Sequence, residues 1–393
     1  MNLDTFRQLL TPAGQEALQA AGQLQPREVD FLSHYTTLCR NFPSELARAA
    51  LEIAILRLEA KSKFSAAGRM YFTREALEQA TDERVSRYRA RRYQDCRLVA
   101  DLGCSIGSDT AVLAGQGMSL GIDLDPLRLI MARSNLTALG LQDRTDFIRA
   151  DLTDPMPVKL PARSGLFFDP ARRTAGRRIH STRQYRPPVG MIRRWVERCP
   201  QVGVKLSPGV DLEELEEYQA EVEFISLQGE LKEAVLWLGG LRSARKRATI
   251  LPGPHTLTEQ GWDERERLPL REPGAYLYEP DGTVLRAGLV QHLGAQIGAS
   301  QLDPDIAYLT ADRAVETPFA RYWPVEDWLP FSLKRLRAAL RERNVGQVVV
   351  KKRGSPLQPE ALIRDLRLKG DQSRVVFLTH LDGKPIVVIC LPE

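Results

Sequence analysis

The chain has 393 residues, 43% of them hydrophobic and 27% charged, with a formal net charge of +5. That is a globular composition, free of collagen-like, disordered or coiled-coil bias, and long enough for two or three domains with cores of their own. No apolar run approaches the roughly 20 residues needed to cross a bilayer, and residues 1–8 carry Asp4 where a secretory signal would be unbroken and apolar, so a soluble, cytoplasmic protein is expected.

The cysteines at 39, 96, 104, 199 and 390 include no C-x-x-C pair, and the histidines lack ligand spacing. A disulfide framework and a metal site are both disfavoured, and a reducing compartment fits. The basic excess is placed unevenly. Residues 313–393 hold 15 Lys and Arg against 9 Asp and Glu, which leaves the rest of the chain near neutral. A one-sided basic region is what attraction to a phosphate backbone requires.

In chain order, residues 1–95 read as a helical cap. Leu46, Ala49, Ala50, Ile53 and Ala54 recur at helical spacing behind Ser44 as N-cap. A second helix is predicted from a Thr73 cap through Leu77 and Val85 into the basic stretch 87–92. Residues 96–250 then alternate short apolar runs (98–100, 119–122, 146–148, 165–168, 202–205) with helical segments near 109–114, 127–139 and 191–197. This is the pattern of a parallel sheet wound with helices, an α/β Rossmann-like core. The runs at 222–227 and 234–238 are too close for a crossover and predict a terminal antiparallel pair.

Pro and Gly cluster at 251–254 and 268–274, opening a connecting α/β region over 251–312 in which Tyr276-Leu277-Tyr278 and Thr283-Val284-Leu285 flank a hairpin turn at 279–282. Residues 313–393 predict a small basic α/β domain. Its helices span 333–343 and 359–368, and its strands 347–351, 374–379 and 385–391.

The candidate site begins at Asp101-Leu102-Gly103-Cys104-Ser105-Ile106-Gly107, which follows a strand and opens a helix. Glycine there lets the backbone turn sharply and a ligand approach closely. Ser105 occupies the middle glycine position of the dinucleotide fingerprint, so a bulky pyrophosphate is disfavoured. The next strand ends at Asp123, where an acid meets ribose hydroxyls in doubly wound folds, and the third delivers Asp151-Leu152, suited to an adenine edge. The same stretch also satisfies G-x-S-x-G, the hydrolase nucleophile elbow, with Ser105 as nucleophile and His180 or His255 as the base. The helical segment before it argues against that reading.

These residues resemble the class I S-adenosylmethionine-dependent methyltransferases, and within them bacterial enzymes with a C-terminal THUMP-like domain. The stretches that carry the likeness are Leu166-Phe167-Phe168-Asp169-Pro170-Ala171-Arg172-Arg173, Gly203-Val204-Lys205-Leu206-Ser207-Pro208-Gly209 and Gly229-Glu230-Leu231-Lys232-Glu233-Ala234. The resemblance implies S-adenosyl-L-methionine as cofactor, with Asp101, Gly103 and Gly107 around its methionine part, Cys104 in the same cofactor-binding loop, Asp123 at the ribose, and Asp151 with Leu152 at the adenine. It further implies RNA as partner, with transfer RNA the first expectation.

Met70-Tyr71-Phe72-Thr73 resembles the lid segment of RNA-cap guanine-N2 methyltransferases, or is packing between cap and sheet. Asp169 and Pro170 stand where related amino-methyltransferases read Asp or Asn, then Pro-Pro and an aromatic, and they are the candidate catalytic residues for an exocyclic nitrogen. Ala171 and Arg172 replace the second proline and the aromatic, so Phe168 or Tyr185 would have to supply the stacking surface.

Arg172, Arg173 and neighbouring cations suit an anionic substrate, with Lys205 near the active end of the sheet and Lys351, Lys352 and Arg353 in the basic domain. The alternatives are methylation of a small anionic metabolite, and a non-catalytic protein that binds RNA and S-adenosylmethionine.

Overall fold

The structure is a computed structural model describing residues 1–171, 173, 174, 177, 178, 181–261, 263 and 266–392; at 173, 174, 177 and 178 it describes the backbone. Contacts divide the chain into two units. The first holds residues 1–221 and 233–243, the second 222–232 and 244–393.

The first unit opens with helices α1 (Leu3–Leu9), α2 (Pro12–Gln23), α3 (Phe31–Leu38) and α4 (Ser44–Ala60). Helix α4 is buried nearly all round, as a central helix must be when its neighbours cover several faces: Leu46, Ala47, Ala50, Leu51, Ile53, Ile55 and Leu56 all lie in the core. Each large side chain so buried contributes about 1.5–3 kcal/mol. Pro43, in extended conformation, takes the N-cap place expected for Ser44, which becomes the first helical residue, and no side chain caps this end.

The helix expected through residues 73–92 is two helices, α5 (Arg74–Gln79) and α6 (Glu83–Ala90). Ala80 turns extended, and Asp82 caps the second helix by accepting from Arg84 N at 2.9 Å. Two caps outweigh one continuous periodic pattern. Thr73 does cap α5, accepting from Ala76 N at 3.1 Å.

The sheet follows: β1 (Leu98–Leu102), β2 (Met118–Asp123), β3 (Thr145–Arg149), β4 (Ser164–Phe168) and β5 (Val202–Leu206), then β6 (Glu221–Leu227) and β7 (Glu230–Trp237). Helices α7 (Ser108–Leu113), α8 (Pro126–Ala138) and α9 (Ile192–Val196) lie between strands, as the alternation predicts. In the first unit the order is β7-β5-β4-β1-β2-β3, parallel except for β7, which runs antiparallel to β5. Parallel strands put the ends of β1, β2, β3 and β4 on one side, where open α/β sheets bind ligands. Gly165 and Gly203 leave room for the Tyr93 ring, since a Cβ at Gly203 would sit 2.4 Å from Tyr93 Oη.

In the second unit β6, the turn Gln228-Gly229 at positive φ and the start of β7 form the expected hairpin. Strand β8 (Lys246–Leu251) runs parallel to β6 and antiparallel to β9 (His255–Thr258), so the Pro-Gly cluster at 251–254 is a hairpin turn.

A seven-stranded sheet then takes β10 (Tyr276–Pro280), β11 (Ser300–Asp303), β12 (Ile306–Ala311), β13 (Ala320–Pro330), β14 (Val345–Lys352), β15 (Gln372–Leu381) and β16 (Lys384–Cys390), in the order β11-β12-β10-β13-β16-β15-β14. Both faces of its C-terminal part are buried. Val375, Phe377, Ile386 and Val388 pack on one side, while Val376, Leu378, Val387 and Ile389 meet helices α12 (Leu333–Glu342) and α13 (Pro359–Leu366) on the other. Burial on both faces explains the unbroken apolar runs.

The hairpin expected at 276–285 is not there. Residues Gly282–Arg286 are helix α10, followed by α11 (Val290–Ile297). Asp281 Oδ1 accepts from Thr283 N at 2.8 Å and Thr283 Oγ1 at 2.7 Å, so the Asp-Gly pair caps a helix where a turn between strands was expected. Among the described residues, no helix is long and apolar enough to cross a membrane.

Candidate cofactor and acceptor site

After β1 the chain makes a tight loop whose conformation demands its residues. Gly103 and Gly107 have φ of +87° and +77°, and Ser105 of +51°. A Cβ at Gly103 would lie 2.7 Å from the Asp169 carbonyl oxygen, which brings the end of β4 against this loop. The loop is tied to β2 by Gly103 N and Cys104 N donating to Ile122 O, at 2.8 and 3.1 Å.

Asp123 Oδ2 accepts from Ser105 N at 2.8 Å and its Oδ1 from Asp125 N at 2.9 Å. Ala150 N in turn donates to Asp123 O at 3.2 Å, so Asp151 follows directly. Asp101, Asp123 and Asp151 are thus linked through consecutive strand ends by backbone hydrogen bonds.

The three acids differ in state. Asp101 is 1% exposed, its Oδ2 accepts from Thr110 Oγ1 at 2.5 Å, and its Oδ1 is buried without a hydrogen-bond partner. Burial, reinforced by the Asp109 carboxylate, pushes its carboxyl up to about 8. Asp123 is half-buried and holds the loop. Asp151 Oδ1 accepts from Thr153 Oγ1 and N, at 2.7 and 2.8 Å, which holds its carboxyl below the usual range. Leu152 beside it is buried. Cys104 is buried, and desolvation raises its thiol well above the ordinary value, which disfavours the thiolate. Ser105 Oγ accepts from Arg128 Nη1 at 3.4 Å.

Asn135 was not foreseen. It is fully buried on α8, its Oδ1 accepting from Tyr71 N at 2.7 Å and its Nδ2 donating to Tyr71 O and Ile106 O at 3.1 and 2.9 Å. One amide therefore clamps the cap segment to the glycine loop. Met70, Tyr71 and Phe72 are buried in the same cluster as Ile106, with the Phe6 ring edge-on to Tyr71 at 5.3 Å. The segment compared with a lid is packed core. A polar residue in the apolar stripe Met131, Ala132, Leu136 was the available signal.

At the end of β4, Asp169 N donates to Leu102 O at 3.0 Å and Asp169 Oδ2 accepts from Lys205 Nζ at 2.6 Å. Pro170 is buried behind it. A buried charge cluster lies beneath. Arg89 from α6 is paired with Asp109 and with Glu233, the latter at 2.9 Å, and lies 4.4 Å over the Phe167 ring. Burial opposes ionisation of Asp109, but the Arg89 guanidinium overrides it and holds the carboxyl below its usual range.

Neither aromatic considered for stacking is presented to a substrate. Phe168 is fully buried and edge-on to Trp195 at 5.1 Å, while Tyr185 is 1% exposed and accepts from Ser207 N at 3.2 Å. Both face the core because the sheet needs them there.

The cationic loop after Asp169 is partly described. Arg172 and His180 lie outside the described residues, and so does the side chain of Arg173. Arg183 and Arg186 are exposed. In the second unit Lys351 pairs with Glu279 and lies 4.7 Å over the Trp323 ring, Lys352 Nζ donates to Gln358 Oε1 at 3.3 Å, and Arg353 lies 3.8 Å from Glu279. Lys334 and Arg335 on α12 point to solvent.

The chemistry of this donor set fits S-adenosylmethionine. Asp101 Oδ1 and Asp151 Oδ2, without hydrogen bonds among the described residues, can accept from a cofactor rich in hydroxyl and amino donors, and the loop carries no Cβ at Gly103 and Gly107.

Comparison with known proteins agrees. The chain is 39% identical over 332 residues to an uncharacterized S-adenosylmethionine-dependent methyltransferase of Mycobacterium tuberculosis strain H37Rv, spanning 82% of this chain and 89% of that one, and equally to its counterpart in strain CDC 1551. A solved structure assigned to a methyltransferase of Porphyromonas gingivalis W83 superposes with a TM-score of 0.75 at 21% identity, covering 94% of this chain and all of that one, which shows the shared fold.

A family model described as THUMP domain-like matches residues 320–392, and one described as a domain of unknown function matches 2–60. An uncharacterized RNA methyltransferase of Parasynechococcus marenigrum is 37% identical over 76 residues, 19% of this chain and 16% of that one. The hydrolase reading of Ser105 falls with these findings. The chain belongs to the S-adenosylmethionine-dependent methyltransferases and carries a THUMP-like domain towards its C-terminal end.

Proposed function

We propose that this methyltransferase is a cytoplasmic enzyme that modifies RNA, with transfer RNA the first candidate, and that it methylates an exocyclic base nitrogen held by Asp169. The observation that carries the reading is Asp169 itself. One of its carboxylate oxygens is anchored, the other has no hydrogen bond among the described residues, and its backbone abuts the glycine loop. The THUMP-like match and the basic excess of residues 313–393 support RNA over other acceptors.

In this reading Asp101, Gly103, Cys104 and Gly107 hold the methionine end of the cofactor, Asp123 the ribose, and Asp151 with Leu152 the adenine. S-adenosylmethionine supplies a methyl group already activated on a sulfonium sulfur. The residues of the chain then need only position an acceptor and exclude water. Asp169 Oδ1 accepts a hydrogen bond from the acceptor N–H, holds the nitrogen in line, and takes the proton released as the nitrogen gains its methyl group. Arg172, Arg173, Lys351, Lys352 and Arg353 are assigned to the phosphate backbone.

A small anionic acceptor is the second reading, favoured by the burial of Phe168 and Tyr185, which removes the stacking surface a base would use. Methyl transfer from radiolabelled cofactor into total RNA separates the two. Label in RNA, abolished by Asp169→Ala, is the expected result; label appearing only in small molecules would overturn the RNA reading.

A further inference from the structure

Lys205 lies on β5, one residue beyond the Phe168–Val204 register pair that aligns β5 with β4. Its side chain is 3% exposed, whereas that of its partner Asp169 is 24% exposed. A lysine taken this far from water must have its ammonium paired. The acid therefore faces the crevice and the lysine stands behind it, with its Nζ committed to Asp169 Oδ2 at 2.6 Å.

The rest of the neighbourhood is arranged around this contact. The positive charge of Lys205 also stabilises the Asp109 carboxylate, Asp109 is paired with Arg89, and Arg89 with Glu233. Glu233, Arg89, Asp109, Lys205 and Asp169 form a string of alternating charge drawn from β7, α6, α7, β5 and the residue after β4. Glu233, Arg89 and Asp109 are spent on one another, and Lys205 on Asp169. The fifth, Asp169, ends the string with Oδ1 unbonded among the described residues.

We propose that Lys205 is a positioning residue for methyl transfer, anchoring Oδ2 of Asp169 so that Oδ1 alone, in one fixed direction, meets the acceptor N–H. This rests on Asp169 being the acceptor-side residue. A carboxylate free to rotate would offer either oxygen in many directions, and misplacement by about 1 Å costs on the order of 100-fold in rate. Lys205 acts through Asp169 and has no role in holding substrate phosphate.

The test is a double-mutant cycle of Lys205→Met and Asp169→Asn in the full chain, read by RNA methylation, S-adenosylhomocysteine affinity and a crystal structure of Lys205→Met. Alone, Lys205→Met should lower kcat about 100-fold with KM for RNA and cofactor-product affinity within about twofold of wild type. In the Asp169→Asn background it should lower kcat no further. A raised KM for RNA at unchanged kcat, or independent multiplicative losses, would overturn the proposal by giving Lys205 its own contact with substrate.

The crystal structure needs no substrate: an Asp169 carboxylate unmoved without the lysine would overturn the proposal even if RNA is not the acceptor. Full activity in Asp169→Asn would instead remove the acceptor reading. Should the single variant not fold, the double variant, which removes both charges together, gives the comparison with Asp169→Asn.

Discussion

Arg89→Met is the perturbation that probes the buried cluster most severely. The Arg89 side chain is 3% exposed and pairs with Asp109 and Glu233, whose side chains are 11% and 2% exposed. Methionine fills much of the volume but removes the guanidinium that both carboxylates bond. Breaking a buried pair from one side costs about 3–5 kcal/mol, most of it the penalty of an uncompensated charge. Loss of the contact over Phe167 adds about 1 kcal/mol.

For a unit of this size each kcal/mol shifts the melting midpoint by about 2–4 °C, so the transition of the first unit should fall by about 10–20 °C. Thermal unfolding followed by circular dichroism reads this directly. Glu233→Gln added to Arg89→Met should recover part of the loss by removing one of the two buried charges that Arg89 neutralises. A shift below about 3 °C, or a double variant no more stable than the single, would refute the reasoning.

Other outcomes follow from the same geometry. Gly103→Ala places a methyl 2.7 Å from the Asp169 carbonyl at a φ of +87°, and should weaken S-adenosylhomocysteine binding at least about 10-fold by calorimetry; unchanged affinity contradicts the close approach. Asn135→Ala strands Tyr71 N, Tyr71 O and Ile106 O, and should cost at least about 2 kcal/mol in denaturant unfolding, with hydrogen exchange rising at Tyr71.

Because burial lifts the Asp101 carboxyl to about 8, above its unfolded value, its stabilisation is complete in acid and is lost as pH rises through that value. The melting midpoint should therefore decline between about pH 4 and 8 in the wild type and stay flatter in Asp101→Asn, as melts across that range can check. Equal slopes would count against a protonated Asp101.

The sheet was legible because its periodicity is simple. Parallel strands buried on both faces must be short apolar runs, and the helices between them must be amphipathic, so β1 to β5 and α7 to α9 follow from residue spacing alone. The placement of Asp101, Asp123 and Asp151 near consecutive strand ends was legible for the same reason. What escaped depends on contacts distant in sequence. Arg89 looked like one more cation in a basic stretch, yet it pairs with Glu233, 144 residues on. Asn135 could be noticed as a polar intruder, but its partners Tyr71 and Ile106 could not be named from spacing. The Asp281-Gly282 pair misled because one Asx motif starts both turns and helices, and the choice rests on the packing of Thr283 and Val284, both fully buried.

Where the cofactor sits decides the roles of Asp101, Asp123, Asp151 and Asp169. A crystal structure with S-adenosylhomocysteine bound tests this directly. It should show the adenosyl group along Asp123, Asp151 and Leu152, the amino-acid end over Gly103 and Gly107, and the sulfur facing the open oxygen of Asp169. A product molecule seated elsewhere, or with its sulfur turned from Asp169, would contradict it.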